Sequence, residues 1–381
     1  MIQLKLAFIC TEKLPSPAIR GGAIQIMLDG IIPYFQNHQV TIFSITDPKL
    51  SNQETDGFIQ YIRFPRENYE MDVANALKNQ SFDLIHVFNR PNTVHLYKAA
   101  SPTSKFVLSL HNDMFSELKM TKEESLRALK HVDAITTVSQ YIKRTVTYRY
   151  PQYSHKIYVL YSGVDLTKFT SIHEKQGQVL QRTLRQRHKL SGKQVVLFIG
   201  RLNKTKGPHL LIKALEELIP KYPHICLVIV GGKWFSENTV DDYVHSLYTL
   251  AENHRDHIYF TNYIPSDEIP LYMTMADLFV CSSQWHEPLA RVHYEAMAAG
   301  LPIITTDRGG NAEVIAHKHN GYVISDYDNP QAFSQAIDYL LSNRNKAKQF
   351  GLAGRKIVEE HFQFHHVAER LENIYVTSLN S

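Results

Sequence analysis

Cysteine is scarce: the chain has three in 381 residues, Cys10, Cys226 and Cys281, and no two stand in a C-x-x-C spacing. That excludes a disulfide framework, a zinc ribbon and a thiol–disulfide active site. Each ends or interrupts an apolar run ("KLAFIC", "ICLVIV", "LFVCSS"), which predicts buried free thiols. Long hydrophobic runs are missing as well, since none approaches the ~18 apolar residues of a membrane span. The start, "MIQLKLAFIC", lacks a basic region, an extended apolar core and a cleavage site, so no leader is expected. The expected setting is a reducing cytoplasm. An excess of one charge is absent too: 41 Lys and Arg face 37 Asp and Glu, a net +4. A nucleic-acid binder would show a clustered basic face, so no nucleic-acid partner is expected. No G-x-G-x-x-G follows the first apolar run and no G-x-x-x-x-G-K-[ST] occurs, which excludes a nicotinamide or flavin fingerprint there and a P-loop.

Short apolar runs are abundant. "LKLAFIC" (4–10), "QVTIFSI" (39–45), "DLIHVF" (83–88), "FVLSLH" (106–111) and "AITTVS" (134–139) read as buried strands. The rhythm resumes with "VVLFIG" (195–200), "CLVIVGG" (226–232), "IYFTNYI" (258–264), "DLFVCSS" (277–283), "PIITTD" (302–307) and "GYVIS" (321–325). Amphipathic segments such as "HLLIKALEELIPKY" lie between them. Strands alternating with helices predict an α/β protein with parallel sheets, and eleven or more strands suggest two such units. The polar, basic stretch 170–189 holds no obvious strand and separates the halves, while the tail from Lys348 to Asn380 reads as helical throughout. Ligands of open α/β sheets sit beyond strand carboxyl ends, so two units facing each other would form a cleft there.

Candidate chemistry gathers at those ends. In "GRLNKTKGPH", Arg201 and Lys206 bring two cations to a strand-to-helix loop, beside the unpaired amides of a helix start, which suits a diphosphate. In "RGGAIQ", Gly21 and Gly22 permit close backbone approach before a helix beginning at about Ala23. His111 ends a strand. In "SSQWHEPLARVHYEAMAAGLPIITTDRGGNAEVI", Glu287 and Glu295 bracket a short helix whose first turn is expected near Pro288. The amides of Leu289, Ala290 and Arg291 would then be that helix's unsatisfied donors. A plain cap is the bland alternative for Glu287. The "DYD" spacing of Asp326 and Asp328 suits a metal, but "DNPQAF" follows and predicts helix capping by Asp328 or Asn329. "HEPLA" lacks the second histidine of a zinc-protease motif, and the other histidines show no ligand spacing, so no metal is expected.

The E-x7-E pair of Glu287 and Glu295, with "GRLNKTKG" and "RGGA", resembles the retaining, nucleotide-sugar-dependent glycosyltransferases of family 4. The likeness covers nearly the whole chain and is strongest over residues 195–324. It implies two Rossmann-like domains facing across a cleft, the GT-B fold. Residues 1–168 would form the acceptor-side domain, rejoined by a C-terminal helix at 366–381. Residues 169–365 would bind the donor, a nucleotide-diphosphate sugar, with no cofactor. Arg201 and Lys206 would hold the diphosphate, Glu295 the ribose hydroxyls and Glu287 the sugar, with the Leu289 and Ala290 amides near sugar or phosphate. His111 would face sugar hydroxyls, and Gly21 and Gly22 would lie by the phosphates. The implied activity is hexosyl transfer with retention to a sugar, lipid-linked or protein acceptor. Same-face attack is favoured, with double displacement through Glu287 as the alternative. Strings such as "TEKLPSPAIRGGAIQI" and "DLFVCSSQWHEPLARVHYEAMAAGLPIIT" resemble a spore-coat branch of that family in bacilli. That branch implies spore-coat proteins as partners, the spore coat as a second location, and surface polysaccharide formation as the setting. A scaffold that keeps the fold without turnover is the rival reading; an epimerase or phosphorylase on a similar fold is a third.

Overall fold

A computed structural model describes residues 3–233 and 240–380. It divides into two compact units, one comprising the chain up to Gly163 and from Phe364 onward, the other Val164–Gln363.

The first unit holds strands β1 (Lys5–Ile9), β2 (Gln39–Ile45), β3 (Gln53–Asp56), β4 (Ile59–Phe64), β5 (Leu84–Phe88), β6 (Lys105–Leu110), β7 (Ala134–Thr137) and β8 (Ile157–Val159). Its helices are α1 (Ala23–Ile31), α2 (Tyr69–Lys78), α3 (Val94–Ala100), α4 (Lys122–His131) and α5 (Gln140–Arg149). The sheet order is β3-β4-β2-β1-β5-β6-β7-β8, parallel throughout except for the β3–β4 hairpin. Alternation along a strand sends side chains to opposite faces. In β1, Ala7 and Ile9 enter one core, with Phe43, Val87 and Leu108, while Leu6 and Phe8 enter another. Both faces are therefore apolar, as parallel sheets covered by helices require.

The second unit holds β9 (Gln194–Ile199), β10 (Ile225–Val230), β11 (Ile258–Asn262), β12 (Leu278–Cys281), β13 (Ile303–Thr306) and β14 (Gly321–Ile324). Its helices are α6 (Lys175–Arg187), α7 (Pro208–Leu218), α8 (Asp242–Ala251), α9 (Ile269–Met275), α10 (Val292–Ala298), α11 (Pro330–Ser342) and α12 (Arg344–His361). The sheet order is β11-β10-β9-β12-β13-β14, with every described pairing parallel.

All eleven expected strands are present, and β3, β4 and β8 are additional. The stretch 170–189 is not a bare linker, because it contains α6, whose Leu184 is buried. Nor is the tail one helix. It breaks at Phe362–Gln363, where the chain leaves the second unit, and resumes as α13 (Phe364–Asn380). Val367, Leu371 and Ile374 of α13 recur at helical spacing and join Met27, Leu28 and Ile31 of α1 in the core of the first unit. Among the described residues no helix is long and apolar enough to cross a membrane.

A buried polar chain ties α13 to the first sheet. Tyr375 Oη lies 2.6 Å from His86 Nδ1, His86 Nε2 lies 2.7 Å from Ser109 Oγ, and Ser109 Oγ lies 2.5 Å from Thr136 Oγ1. Burial, with a smaller push from His111, lowers the His86 imidazole to about 3. Folded His86 therefore stays neutral while its unfolded counterpart titrates near 6.5. A depressed folded value means stability that is whole above pH 6.5 and is lost as pH falls toward 3. Lowering the pH from 7 to 5 should destabilise the wild type by about 1–2 kcal/mol more than it destabilises His86→Asn. Urea unfolding at both pH values measures that difference, and equal losses would contradict it.

Candidate active site

The second sheet reverses its order at β9: β10 and β11 extend it one way, β12 to β14 the other. Such a switch point, beyond the strand carboxyl ends, is where open α/β sheets bind ligands. The loop after β9 carries Lys206 and the loop after β12 carries Glu287. Hydrogen bonds sew these loops together. Gln284 N–H donates to Thr205 O at 2.8 Å, Ser282 Oγ to Lys206 O at 2.8 Å, and Thr306 Oγ1 to Ser283 O at 2.7 Å. From the loop after β13, Gly310 N–H donates to Glu287 O at 2.8 Å. Gly309 makes that approach possible, because its φ is +66° and a Cβ there would lie 2.0 Å from Glu287 O.

Glu287 is 8% exposed. Its Oε2 accepts from Lys206 Nζ at 2.5 Å, Trp285 Nε1 at 2.7 Å and Ser283 Oγ at 3.1 Å. Burial alone would raise the carboxyl, but the Lys206 ammonium, with Trp285 and Ser283, outweighs it and holds Glu287 below the usual carboxylate range. The residue is thus kept ionised, as an acceptor and a fixed negative charge rather than a proton donor.

The expected helix start near Pro288 is corrected. α10 begins at Val292 and Arg291 occupies its N-cap position, so Glu287 does not cap it. The intervening chain is held out of the helix: Ala290 N–H donates to Asn311 Oδ1 at 3.2 Å, and His293 Nδ1 pairs with Ala290 O at 2.8 Å. The Ala290 amide is therefore engaged within the protein, and Leu289 beside it is half-buried. Glu295 lies inside α10, 3.7 Å from Arg291; burial raises its carboxyl against that cation. Arg201, half-buried, follows β9 on the same loop as Lys206. At "DYD" the cap of α11 is Asn329, not Asp328; its side chain accepts from Gln331 N–H, while Asp326 Oδ2 accepts from Asn329 Nδ2 at 2.7 Å.

The remaining candidates belong to the first unit. Its sheet reverses at β1, between β2 and β5. Gly21 and Gly22 end the loop after β1, and α1 starts at Ala23 as expected. Gly22 has φ +101°, a conformation that strains any residue with a side chain, and a Cβ there would also push aside the ends of Gln25 and Leu14. His111 directly follows β6, and its N–H donates to Asn89 Oδ1 at 3.1 Å. The sequence reading passed over a pair at this switch point. Arg90, after β5, grips Glu12, after β1, through Nη2 at 2.6 Å and Nε at 2.7 Å. Burial opposes the charge on Glu12, but Arg90 overrides it and holds the carboxyl at about 2. Ser283, Trp285 and Asn311 were passed over as well. Only the loop positions of "SSQW" and "RGGN" hinted at them.

Two doubly wound units, each with polar residues at its switch point, form a ligand-binding α/β architecture, and comparison with known proteins identifies the family. The family model for glycosyl transferases group 1 matches residues 180–357, and that for glycosyltransferase family 4 matches residues 36–168. The chain belongs to the glycosyltransferases of these families, and its fold is GT-B. It is 52% identical to YtcC of Bacillus subtilis, whose name assigns it to the glycosyltransferases, over 99% of this chain and 93% of that protein. It is 45% identical to spore coat protein SA of the same organism, over 98% of this chain and 99% of that one. Among solved structures, the catalytic domain of Arabidopsis thaliana starch synthase IV bound to ADP and acarbose matches with a TM-score of 0.80 at 15% identity, over 100% of both chains. Anabaena HepE in complex with UDP and glucose matches with a TM-score of 0.79 at 19% identity, over 98% of this chain and 100% of that one. At such identities the structural likeness speaks for the fold alone.

Removing Lys206 should strand a buried carboxylate. Lys206→Met is expected to destabilise the protein by on the order of 3 kcal/mol at pH 7. In the wild type, the lowered carboxyl supplies stability above the ordinary carboxylate range that is lost as pH falls through the folded value. In the variant, burial acts unopposed by Lys206, and protonation relieves it. The gap should therefore narrow as pH falls from 7 to 4, which chemical denaturation at several pH values will test; a constant gap would count against the pairing.

Proposed function

We propose that this glycosyltransferase moves a hexose from a nucleotide-diphosphate sugar to an acceptor hydroxyl, with retention and without a metal or other cofactor. The observation that carries the reading is the Lys206–Glu287 pair at the switch point of the second sheet. Breaking a sugar–phosphate bond leaves an electron-poor anomeric carbon and a negative diphosphate, and preorganised charge must stabilise both. An ammonium has three donors. One of those of Lys206 is held by Glu287, leaving two for diphosphate oxygens, with Arg201 as the second cation. These cations take the part a divalent ion plays elsewhere. Glu287 supplies a fixed negative charge to the sugar, and Glu295 takes the ribose hydroxyls. In the first unit, His111 offers an imidazole to a substrate hydroxyl, and Gly21 and Gly22 bring backbone close to phosphate.

A carboxylate held below the usual carboxylate range by Lys206, Trp285 and Ser283 is a weakened nucleophile. That favours same-face attack over double displacement: the acceptor oxygen bonds the anomeric carbon, the carbon–phosphate oxygen bond breaks, and the acceptor proton passes to the departing phosphate. HepE was solved with UDP and glucose, and starch synthase IV with ADP, which supports a nucleotide-linked donor. The likeness to spore coat protein SA supports an acceptor in the spore coat or a surface polysaccharide, made in the cytoplasm or at the coat.

A panel of nucleotide sugars, tested in chelator, examines this reading. Arg201→Ala should weaken donor binding about 10- to 100-fold, as expected for the loss of a charged hydrogen bond. Glu287→Gln should lower turnover by roughly 10²-fold while binding changes much less. Activity that vanishes in chelator and returns with manganese would refute metal independence. If the wild type binds no member of the panel, a non-catalytic scaffold replaces the enzyme.

A further inference from the structure

The three donors around Glu287 are not shared between its oxygens. Lys206 Nζ, Trp285 Nε1 and Ser283 Oγ all reach Oε2, and among the described residues none reaches Oε1. A carboxylate offers about four acceptor sites over two oxygens. Here one oxygen is saturated and the other has no protein donor, in a residue only 8% exposed. Oε1 stays reachable from solvent, so a ligand hydroxyl can supply the donor that the protein does not.

The donors differ in what they can fix. An ammonium is a point charge on a flexible stem and can follow either oxygen. An indole N–H points along one line. The Trp285 ring also has the Lys206 ammonium 5.9 Å from its centroid, while the indole is 36% exposed. Ser283 is fully buried, and its backbone carbonyl is held by Thr306 Oγ1. Ser283 and Trp285 stand four and two residues before Glu287 on the same loop, so they move with it, whereas Lys206 arrives from the loop after β9.

We propose that Ser283 and Trp285 are positioning residues: by saturating Oε2 they fix the rotation of the Glu287 carboxylate, so that Oε1 alone is offered to one hydroxyl of the donor sugar. The inference rests on the sugar-binding role given to Glu287 above. A single fixed acceptor favours one hydroxyl orientation over its epimer, so the pair sets donor-sugar discrimination as well as rate. Trp285→Phe keeps an aromatic ring, though a smaller one, and removes the N–H; Ser283→Ala removes the hydroxyl with little change of volume.

The test compares wild type, Trp285→Phe, Ser283→Ala and Glu287→Gln, with UDP-glucose and UDP-galactose as the epimeric probes if UDP is the base bound, or the matching pair on whichever base binds. Turnover in the first two variants should fall about 3- to 10-fold, as expected for one lost hydrogen bond, while the donor KM changes less than about 2-fold. The preference between epimers should narrow by a similar factor. Carbon-13 carboxyl NMR should show Glu287 titrating higher in both variants than in wild type, because each loses a donor to the ionised form. The other titratable groups coupled to Glu287 are Lys206, Cys281 and His293, and all remain in place. A role in loop stability alone would leave the epimer preference unmoved. Slow turnover in Glu287→Gln with wild-type turnover and preference in Trp285→Phe and Ser283→Ala would overturn this inference alone. Wild-type turnover in Glu287→Gln would overturn the sugar-binding reading, and the inference with it.

Discussion

An ionised carboxylate at 8% exposure is unstable unless charge and donors meet it, and the second unit is organised around meeting that need at Glu287. Lys206 supplies the opposite charge; Trp285 and Ser283 supply the remaining donors. Those partners arrive together only if the loops after β9, β12 and β13 lie in contact. The contact in turn needs the left-handed Gly309 against Glu287 O and the hydrogen bond from Gly310. The strands below fix the spacing: β9 and β12 are paired neighbours, as are β12 and β13. Sheet order thus becomes a chemical constraint.

The first unit solves a similar problem with a different result. Its switch point is closed by the bidentate Glu12–Arg90 pair, in which both ions are already satisfied. At Glu287 one oxygen has no donor among the described residues. On the proposed function, that open oxygen is where a sugar hydroxyl would bind. The two pairs thus differ in coordination: one is bidentate, the other leaves an acceptor open.

Much of the fold was legible because both faces of a parallel sheet are buried, so its strands read as continuous apolar runs. The strands that escaped notice break that rule. β3 is a polar edge strand, with Gln53, Glu54, Thr55 and Asp56 largely facing solvent. β4 carries Arg63 at 2% exposure, its guanidinium bound to Glu54, Ser16 O and Ser51 O. β8 spans only Ile157–Val159. The break at Phe362–Gln363 was hidden because helical periodicity runs through both sides of it. At the site, the E-x7-E spacing drew attention to Glu287 and Glu295, but spacing cannot show that Lys206, 81 residues away, pairs with the first of them. Nor could it show that helix α10 waits until Val292, since the restraint comes from Asn311 on a different loop.

If Lys206 serves the leaving diphosphate and Glu287 together, removing either should alter what the other contributes. Single-turnover transfer rates for wild type, Lys206→Ala, Glu287→Gln and the double variant measure this directly as a double-mutant cycle. Contacting charged residues couple by roughly 0.5–3 kcal/mol. The account predicts that the double variant is faster than the product of the two single losses by about 3-fold or more. Losses that multiply without interaction would show that the two residues act independently, and would contradict it.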